Sequence, residues 1–247
     1  KVKPGDHVIL SWMPSCGLCE ACQIGRPSVC YNFAEHAQRT AIVTRTNENI
    51  PFMAGIGTMS SYSIVSEDVA IPIDKTIPFP QASLIGCGVM TGVGAAINTA
   101  EVHPGSTVAV FGAGGVGLNV IQGARIAGAL RIIAIDTVEN KLRMAIDHGA
   151  TDIVNAISQN IVEEIIEITK GGVDYSFDAI GTKITAEQSF DIIRPGGTAT
   201  IVGLIPQGVK IELDGVGFID EKKIQGSCMG SNQFRTDIPR YIELYKQ

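Results

Sequence analysis

Through the first eighty or so residues, apolar positions fall in short runs: His7 to Leu10, Thr40 to Val43 and Ser61 to Val65. These are cut by Pro4-Gly5, Gly25-Arg26-Pro27 and Gly55 to Gly57. Runs this short between turn formers predict an irregular β region with long loops. From about Ala82 the rhythm changes. Thr107 to Phe111 reads as a strand, Gly115 to Gly128 as a helix and Arg131 to Ile135 as a second strand. Alternation of that kind predicts a parallel sheet covered by helices. It continues with a helix over Lys141 to Gly149, a strand over Asp152 to Val154, and an amphipathic helix over Ile161 to Lys170 that Gly171-Gly172 stops. A strand over Val173 to Ala179, a helix over Ala186 to Ile193 and a strand over Thr198 to Val202 follow. Lys223 to Cys228 is the candidate sixth strand. Asp237 to Lys246 reads as a helix opened by Asp237, with Pro239 in its first turn. The expected fold class is α/β, a doubly wound parallel sheet preceded by a partial, mostly β domain. The change of period puts the boundary near Val89, dividing the chain into 1–88, 89–228 and a closing segment 229–247.

Composition narrows the function classes. The 247 residues carry 19 Lys and Arg against 25 Asp and Glu, a net charge of −6, so no overall positive field attracts a polyanion such as nucleic acid. Apolar residues at 45% and charged residues at 18% describe a chain that can bury a core. The least polar stretches, Leu84 to Ile97 and Thr107 to Ile121, are interrupted by glycine and fall short of the ~20 residues of a membrane span, so no membrane association is expected. Nothing at the N-terminus resembles a signal peptide, although Lys1 is not a methionine and a preceding segment could have carried one.

Four of the six cysteines crowd into Cys16-x-x-Cys19-x-x-Cys22 and Cys30. Four thiolates on one compact loop can complete a tetrahedral Zn²⁺, leaving no position for water or substrate, which makes such a site structural. An iron–sulfur cluster is the nearest rival. The ferredoxin-like run, however, places three residues before its fourth cysteine and a proline after it, where this chain has seven residues and then Tyr31. Unliganded thiols are the bland alternative. Metal-type cysteine spacing in a chain of this length fits a reducing compartment, and a cytoplasmic location is expected. A lobe that contacts nucleic acid is disfavoured, because Arg26 is its only basic residue.

Gly112-Ala113-Gly114-Gly115-Val116-Gly117 follows the apolar run Thr107 to Phe111 and opens a helical pattern. That context separates a dinucleotide fingerprint from a chance glycine cluster. Gly112 permits the tight turn, Gly114 lets the backbone approach a pyrophosphate, and Gly117 allows close helix–strand packing. Asp136 stands nineteen residues after Gly117, at the end of the next strand, where a carboxylate can accept hydrogen bonds from the adenosine ribose. Its charge would repel a 2′-phosphate, and Thr137 offers no arginine to offset this, so NAD is expected over NADP. The competing reading is a glycine-rich turn with an incidental helix-capping Asp.

Cys87 lies between these features in Gly86-Cys87-Gly88-Val89-Met90-Thr91-Gly92; alone it reads as a small buried residue. Taken together, the four-cysteine lobe, the Gly-Cys-Gly-x-x-Thr-Gly segment, the dinucleotide fingerprint and its acidic residue, in that order, resemble the zinc-dependent medium-chain alcohol dehydrogenases. The cysteine motifs are specific; the glycine fingerprint alone admits many dehydrogenases. The resemblance implies a GroES-like catalytic domain and a Rossmann domain. It gives Cys16, Cys19, Cys22 and Cys30 a structural zinc, and makes Cys87 one of three ligands of a catalytic zinc. It sets Thr91, Val116, Ala179, Val202, Leu204 and Ser227 around the nicotinamide, and Asp136 and Lys141 on the adenosine ribose. It further implies hydride transfer between a primary or aromatic alcohol and NAD, with S-(hydroxymethyl)glutathione oxidation as an alternative and a non-catalytic NAD-binding protein as another.

The family's other two catalytic zinc ligands would lie upstream of Val2-Lys3-Pro4-Gly5-Asp6-His7, so the resemblance makes this chain a fragment lacking both ends, with an incomplete catalytic zinc site. His7, His36, His103 and His148 sit in contexts that do not suggest substitutes. By analogy, Gln207 to Phe218, with its alternation Val209, Ile211, Leu213, occupies the place of an edge strand that pairs across a two-fold axis, implying a homodimer or a dimer-based oligomer. An ordinary surface hairpin is the competing reading.

Overall fold

A computed structural model describes residues 1–37, 42–43, 46, 48–50, 53–157 and 160–247. It divides into two compact units, Lys1–Met90 with Ser231–Gln247, and Thr91–Gly230.

The first unit is built on short pairings. β1 (His7–Leu10) runs antiparallel to β4 (Ala70–Ile73), with His7 opposite Ile73. Between them, β2 (Ile42–Val43) pairs antiparallel with β3 (Asn49–Ile50). Part of the expected run Thr40 to Val43 lies outside the described residues. Ser61 to Val65 is not a strand, contrary to its alternation. No ladder partner reaches it among the described residues, and the hydroxyls of Ser60 and Ser63 donate to the Gly57 carbonyl at 2.9 Å each, a local bonding pattern that competes with a sheet. The closing helix spans Phe234–Tyr245 and so starts three residues before the expected Asp237. Pro239 therefore lies inside it, and the Asp237 carboxylate caps it by accepting the Gln233 N–H at 2.8 Å.

The second unit is a six-stranded parallel sheet made from β5 (Thr107–Phe111), β6 (Arg131–Asp136), β7 (Asp152–Asn155), β8 (Val173–Asp178), β9 (Ile193–Ile201) and β10 (Lys223–Gly226). Their order, β10-β9-β8-β5-β6-β7, reverses between β5 and β8, which is the doubly wound arrangement with its switch point at those two strands. Helices Gly115–Ile126, Glu139–Asp147, Ile161–Thr169 and Lys183–Asp191 connect the strands. The last starts earlier than its apolar pattern indicates, because Thr182 and Thr185 form a reciprocal cap.

Successive residues of a strand face opposite sides of a sheet, and helices cover both sides here, so the innermost parts of β5 and β6, residues 108–111 and 132–135, are apolar and buried on both faces. Val108 and Val110 join Leu118, Ile121 and Phe177 in one buried cluster; Ala109 and Phe111 join Ile135, Ile165 and Phe190 in another. Each fully buried Ile or Phe of this kind contributes about 1.5–3 kcal/mol relative to exposure. Within the single chain, Gln207 to Phe218 forms no strand and closes on a 3-10 turn at Gly215–Phe218. Leu213 packs onto the core, and the Glu212 N–H donates to the Glu187 carboxylate at 2.7 Å, so side-chain anchors hold this segment in place of a ladder.

Phe79–Thr99 is a 21-residue helix that alternates between α and π geometry. The helix runs on through Gly86, Gly88, Gly92 and Gly94. Its length and mean hydropathy of 1.3 would allow a membrane crossing, but half of it is buried inside the protein, as in a core helix.

Candidate functional site

In a parallel sheet every strand ends at the same edge. The residues after β5, β6, β8, β9 and β10 therefore meet at the carboxyl edge, and that edge holds most of the expected nucleotide-binding residues.

At the end of β5, Gly112 takes φ +89°, a left-handed turn that favours glycine, and its N–H donates to the Ile135 carbonyl at 2.7 Å. Gly114 then caps the helix Gly115–Ile126. A Cβ on Gly117 would stand 1.7 Å from the Gly112 carbonyl oxygen, so only glycine lets this helix approach the turn. A Cβ on Gly114 or Gly115 would meet nothing within 4 Å. The space in front of the helix N-terminus is thus open, and the first-turn N–H groups there have no helical partners. Val116 packs against the core from the same turn.

Asp136 ends β6 and is 7% exposed. Its Oδ2 accepts the Ala113 N–H at 2.8 Å, its Oδ1 accepts the Val138 N–H at 3.0 Å, and the Lys141 ammonium lies 3.6 Å away. The carboxylate therefore holds the glycine turn in place as well as marking the strand end. A carboxylate has about four lone-pair sites, which leaves acceptor capacity for a sugar hydroxyl.

Across the switch point the Ala179 N–H donates to the Phe111 carbonyl at 2.9 Å. The Val202 N–H donates to the Asp178 carbonyl at 2.9 Å, and the Ser227 N–H to the Ile201 carbonyl at 2.9 Å, so both follow on directly from their strands. Ser227 and Thr99 also share a hydroxyl bond of 2.9 Å. Leu204 is 92% exposed. Thr91 is buried, with its hydroxyl donating to the Met229 sulfur at 3.4 Å. Asp178, which ends β8 as Asp136 ends β6, was not singled out by sequence reasoning.

In the other unit, the Sγ atoms of Cys16, Cys19, Cys22 and Cys30 lie within 4.8 Å of one another. The Cys16–Cys22 and Cys19–Cys30 separations are 4.0 and 3.9 Å. Zn–S bonds of about 2.3 Å in a tetrahedron place sulfurs roughly 3.8 Å apart, so the four fit zinc. Two thiols are already biased toward the thiolate. The N–H groups of Leu18 and Cys19 donate to the Cys16 sulfur at 3.4 and 3.2 Å and bring its pKa down to about 6; the N–H groups of Cys22 and Tyr31 lower that of Cys19. Burial pushes Cys22 up to about 12, so in the absence of a cation its proton stays on.

Cys87 is exposed on a π-helical turn, Ile85–Val89, and belongs to no group of three or more ligand-type side chains among the described residues. No histidine joins it in such a group. The His7 ring stacks on Phe79 at 4.5 Å between centroids, His103 meets the edge of Tyr175, and His148 donates to the Met144 carbonyl. Among the described residues, the side chains fit a structural zinc and a dinucleotide, and Cys87 has no group of ligand-type side chains about it.

Two family patterns match the chain, the alcohol dehydrogenase GroES-like domain over residues 1–75 and the zinc-binding dehydrogenase over residues 115–247. An S-(hydroxymethyl)glutathione dehydrogenase of Saccharomyces cerevisiae is 37% identical over 259 residues, covering 100% of this chain and 67% of the relative. The chain belongs to the zinc-dependent medium-chain alcohol dehydrogenases. Within this dehydrogenase family, the benzyl alcohol dehydrogenase of Acinetobacter calcoaceticus has a similar structure, at 32% identity and a TM-score of 0.92, covering 100% of this chain and 69% of that one. A zinc-binding dehydrogenase of Sinorhizobium meliloti 1021, solved bound to NADP, aligns at 25% identity and a TM-score of 0.73, covering 96% and 68%.

Proposed function

We propose that this dehydrogenase binds NAD along the carboxyl edge of its parallel sheet. The parent activity is then hydride transfer between a primary or aromatic alcohol and NAD, giving the aldehyde. The observation that carries this reading is the Asp136 carboxylate, fixed beside a glycine turn that leaves open space before a helix N-terminus. Gly112, Gly114, Gly115 and Gly117 admit the pyrophosphate to backbone N–H groups. Asp136 and Lys141 hold the adenosine ribose. Thr91, Val116, Ala179, Val202, Leu204 and Ser227 orient the nicotinamide end. NAD, when bound, supplies the hydride acceptor; the protein supplies orientation and electrostatics. A structural zinc held by Cys16, Cys19, Cys22 and Cys30 braces a loop with little secondary structure.

Cys87 alone cannot hold a catalytic zinc, so these residues by themselves bind dinucleotide and one zinc without oxidising alcohol. The similarity to S-(hydroxymethyl)glutathione dehydrogenases favours that glutathione adduct as a second substrate reading. A homodimer or dimer-based oligomer that pairs through Gln207 to Phe218, where Val209, Val216 and Phe218 are exposed, is the assembly that fits this reading.

Calorimetric titration of the zinc-loaded chain tests the reading. Heat of binding with NAD⁺, at least tenfold tighter than with NADP⁺, is expected. Absence of heat with either nucleotide overturns the dinucleotide site, and equal affinities overturn the preference assigned to Asp136. Substrate class is then decided by assaying an enzyme that includes the catalytic zinc ligands with benzyl alcohol and S-(hydroxymethyl)glutathione.

A further inference from the structure

Asp178 is fully buried at the end of β8, beside the switch point. Four backbone amides converge on it. Its Oδ1 accepts the N–H groups of Ile180 and Gly181 at 2.9 and 3.1 Å, closing a turn on its own side chain. Its main-chain carbonyl accepts those of Val202 and Gly203 at 2.9 and 2.8 Å. The two turns so held are pressed together without side chains between them. A Cβ on Gly203 would stand 2.2 Å from the Gly181 nitrogen, and one on Gly181 would stand 2.6 Å from the Leu204 nitrogen. Its Oδ2, by contrast, is buried and makes no hydrogen bond.

A carboxylate with one oxygen fully used and the other without a partner is a costly way merely to end a strand. An apolar residue would fill the space without stranding an acceptor. What the carboxylate adds is a fixed path for residues 179–181 against residues 202–204, the two turns that carry Ala179, Val202 and Leu204.

The geometry points to Asp178 as a positioning residue that locks these two turns into one platform for the nicotinamide half of the dinucleotide. It touches no ligand itself, since it has no exposed surface. This inference rests on the proposed dinucleotide site and names a determinant within it that acts on one half only. The adenosine half is held by the glycine turn and Asp136, to which Asp178 makes no hydrogen bond.

ADP carries the adenosine and pyrophosphate but lacks the second ribose and the nicotinamide, so comparing it with NAD⁺ separates the halves. Calorimetry on the zinc-loaded chain should show Asp178→Ala weakening NAD⁺ at least tenfold while leaving ADP within twofold. Asp178→Asn, which keeps an Oδ1 acceptor, should restore NAD⁺ to within about threefold of the original. Equal loss of ADP and NAD⁺ reduces Asp178 to a general structural role and overturns the inference, as does unchanged NAD⁺ binding in Asp178→Ala. If the unmutated chain binds neither nucleotide, the dinucleotide site itself fails. Should Asp178→Ala not fold, amide hydrogen exchange of the unmutated protein decides. Protected Ile180 and Gly181 amides without nucleotide support a preset platform, and freely exchanging ones overturn it.

Discussion

The Ala113 N–H donates to Asp136 Oδ2 over 2.8 Å, so the acid at the tip of β6 holds the glycine turn at the tip of β5. The residue that would recognise the ribose thus also presets the loop that would receive the pyrophosphate. Asp136→Ala removes both functions at once. Hydrogen bonds to charged groups contribute about 1.5–3 kcal/mol each, so NAD⁺ affinity should fall roughly 30-fold, on the order of 2 kcal/mol. Discrimination against NADP⁺ should shrink with it. Titration with both nucleotides checks this, and an unchanged affinity ratio would mean that Asp136 does not read the ribose.

The glycines of the fingerprint separate by role. In Gly117→Ala the new methyl meets the Gly112 carbonyl at 1.7 Å, backbone that cannot yield cheaply. A loss of about 3 kcal/mol, the upper part of the overpacking range, corresponds to a fall in Tm of roughly 10 °C. Gly114→Ala finds open space and a φ of −83° that any residue adopts, so its Tm should stay within about 2 °C of the original. Its NAD⁺ affinity should nevertheless drop about tenfold, because the methyl occupies the pyrophosphate's approach. Thermal unfolding alongside titration distinguishes the two variants; equal stability would show the Gly117 contact to be dispensable.

How far the sequence was legible depended on whether each signal was local. The strand–helix alternation over Thr107 to Gly226 was most legible at β5 and β6, where burial on both faces leaves unbroken apolar runs at residues 108–111 and 132–135. The cysteine lobe was legible because metal geometry follows from spacing. Ser61 to Val65 misled because alternation predicts a strand only where a partner is available, and partners are a matter of tertiary structure. The anchors of the Gln207 to Phe218 segment, Glu187 and the core beneath Leu213, lie elsewhere in the chain and could not be read from its own alternation. Asp178 went unnoticed because, besides the local amides of Ile180 and Gly181, it takes those of Val202 and Gly203, which reach it only when β8 and β9 lie side by side.

The cysteine lobe carries a stoichiometric prediction. Cys22 is one of four sulfurs lying within 4.8 Å of one another, and its loss leaves three ligands where a closed tetrahedral site needs four. Cys22→Ser should reduce bound zinc from about one per chain to none. It should also lower Tm by roughly 10 °C, on the order of 3 kcal/mol for a domain of this size. Elemental analysis and thermal unfolding check the pair of effects. Full zinc retention in the variant would show that Cys22 is not a ligand.

Arg131 and Asp152 give a prediction for pH. The guanidinium donates to Asp152 through Nε at 3.0 Å and Nη2 at 2.6 Å, and its Nη1 donates to the Ile168 carbonyl, tying the starts of β6 and β7 to the end of the Ile161–Thr169 helix. The Arg131 bond is the main cause of a lowered Asp152 pKa, with Thr151 adding to it. A carboxylate whose pKa is lower in the folded state stabilises the fold above the unfolded value of about 3.9; that contribution disappears as pH falls through the lower folded value. Asp152→Asn should therefore cost on the order of 1 kcal/mol at pH 7, a partly exposed bidentate pair being modest. The gap between variant and original should hold from pH 7 to about 5 and shrink below about pH 4. Urea midpoints measured across that range test the sign. A gap that stays constant or widens on acidification would show that the pair is not what holds these three elements together.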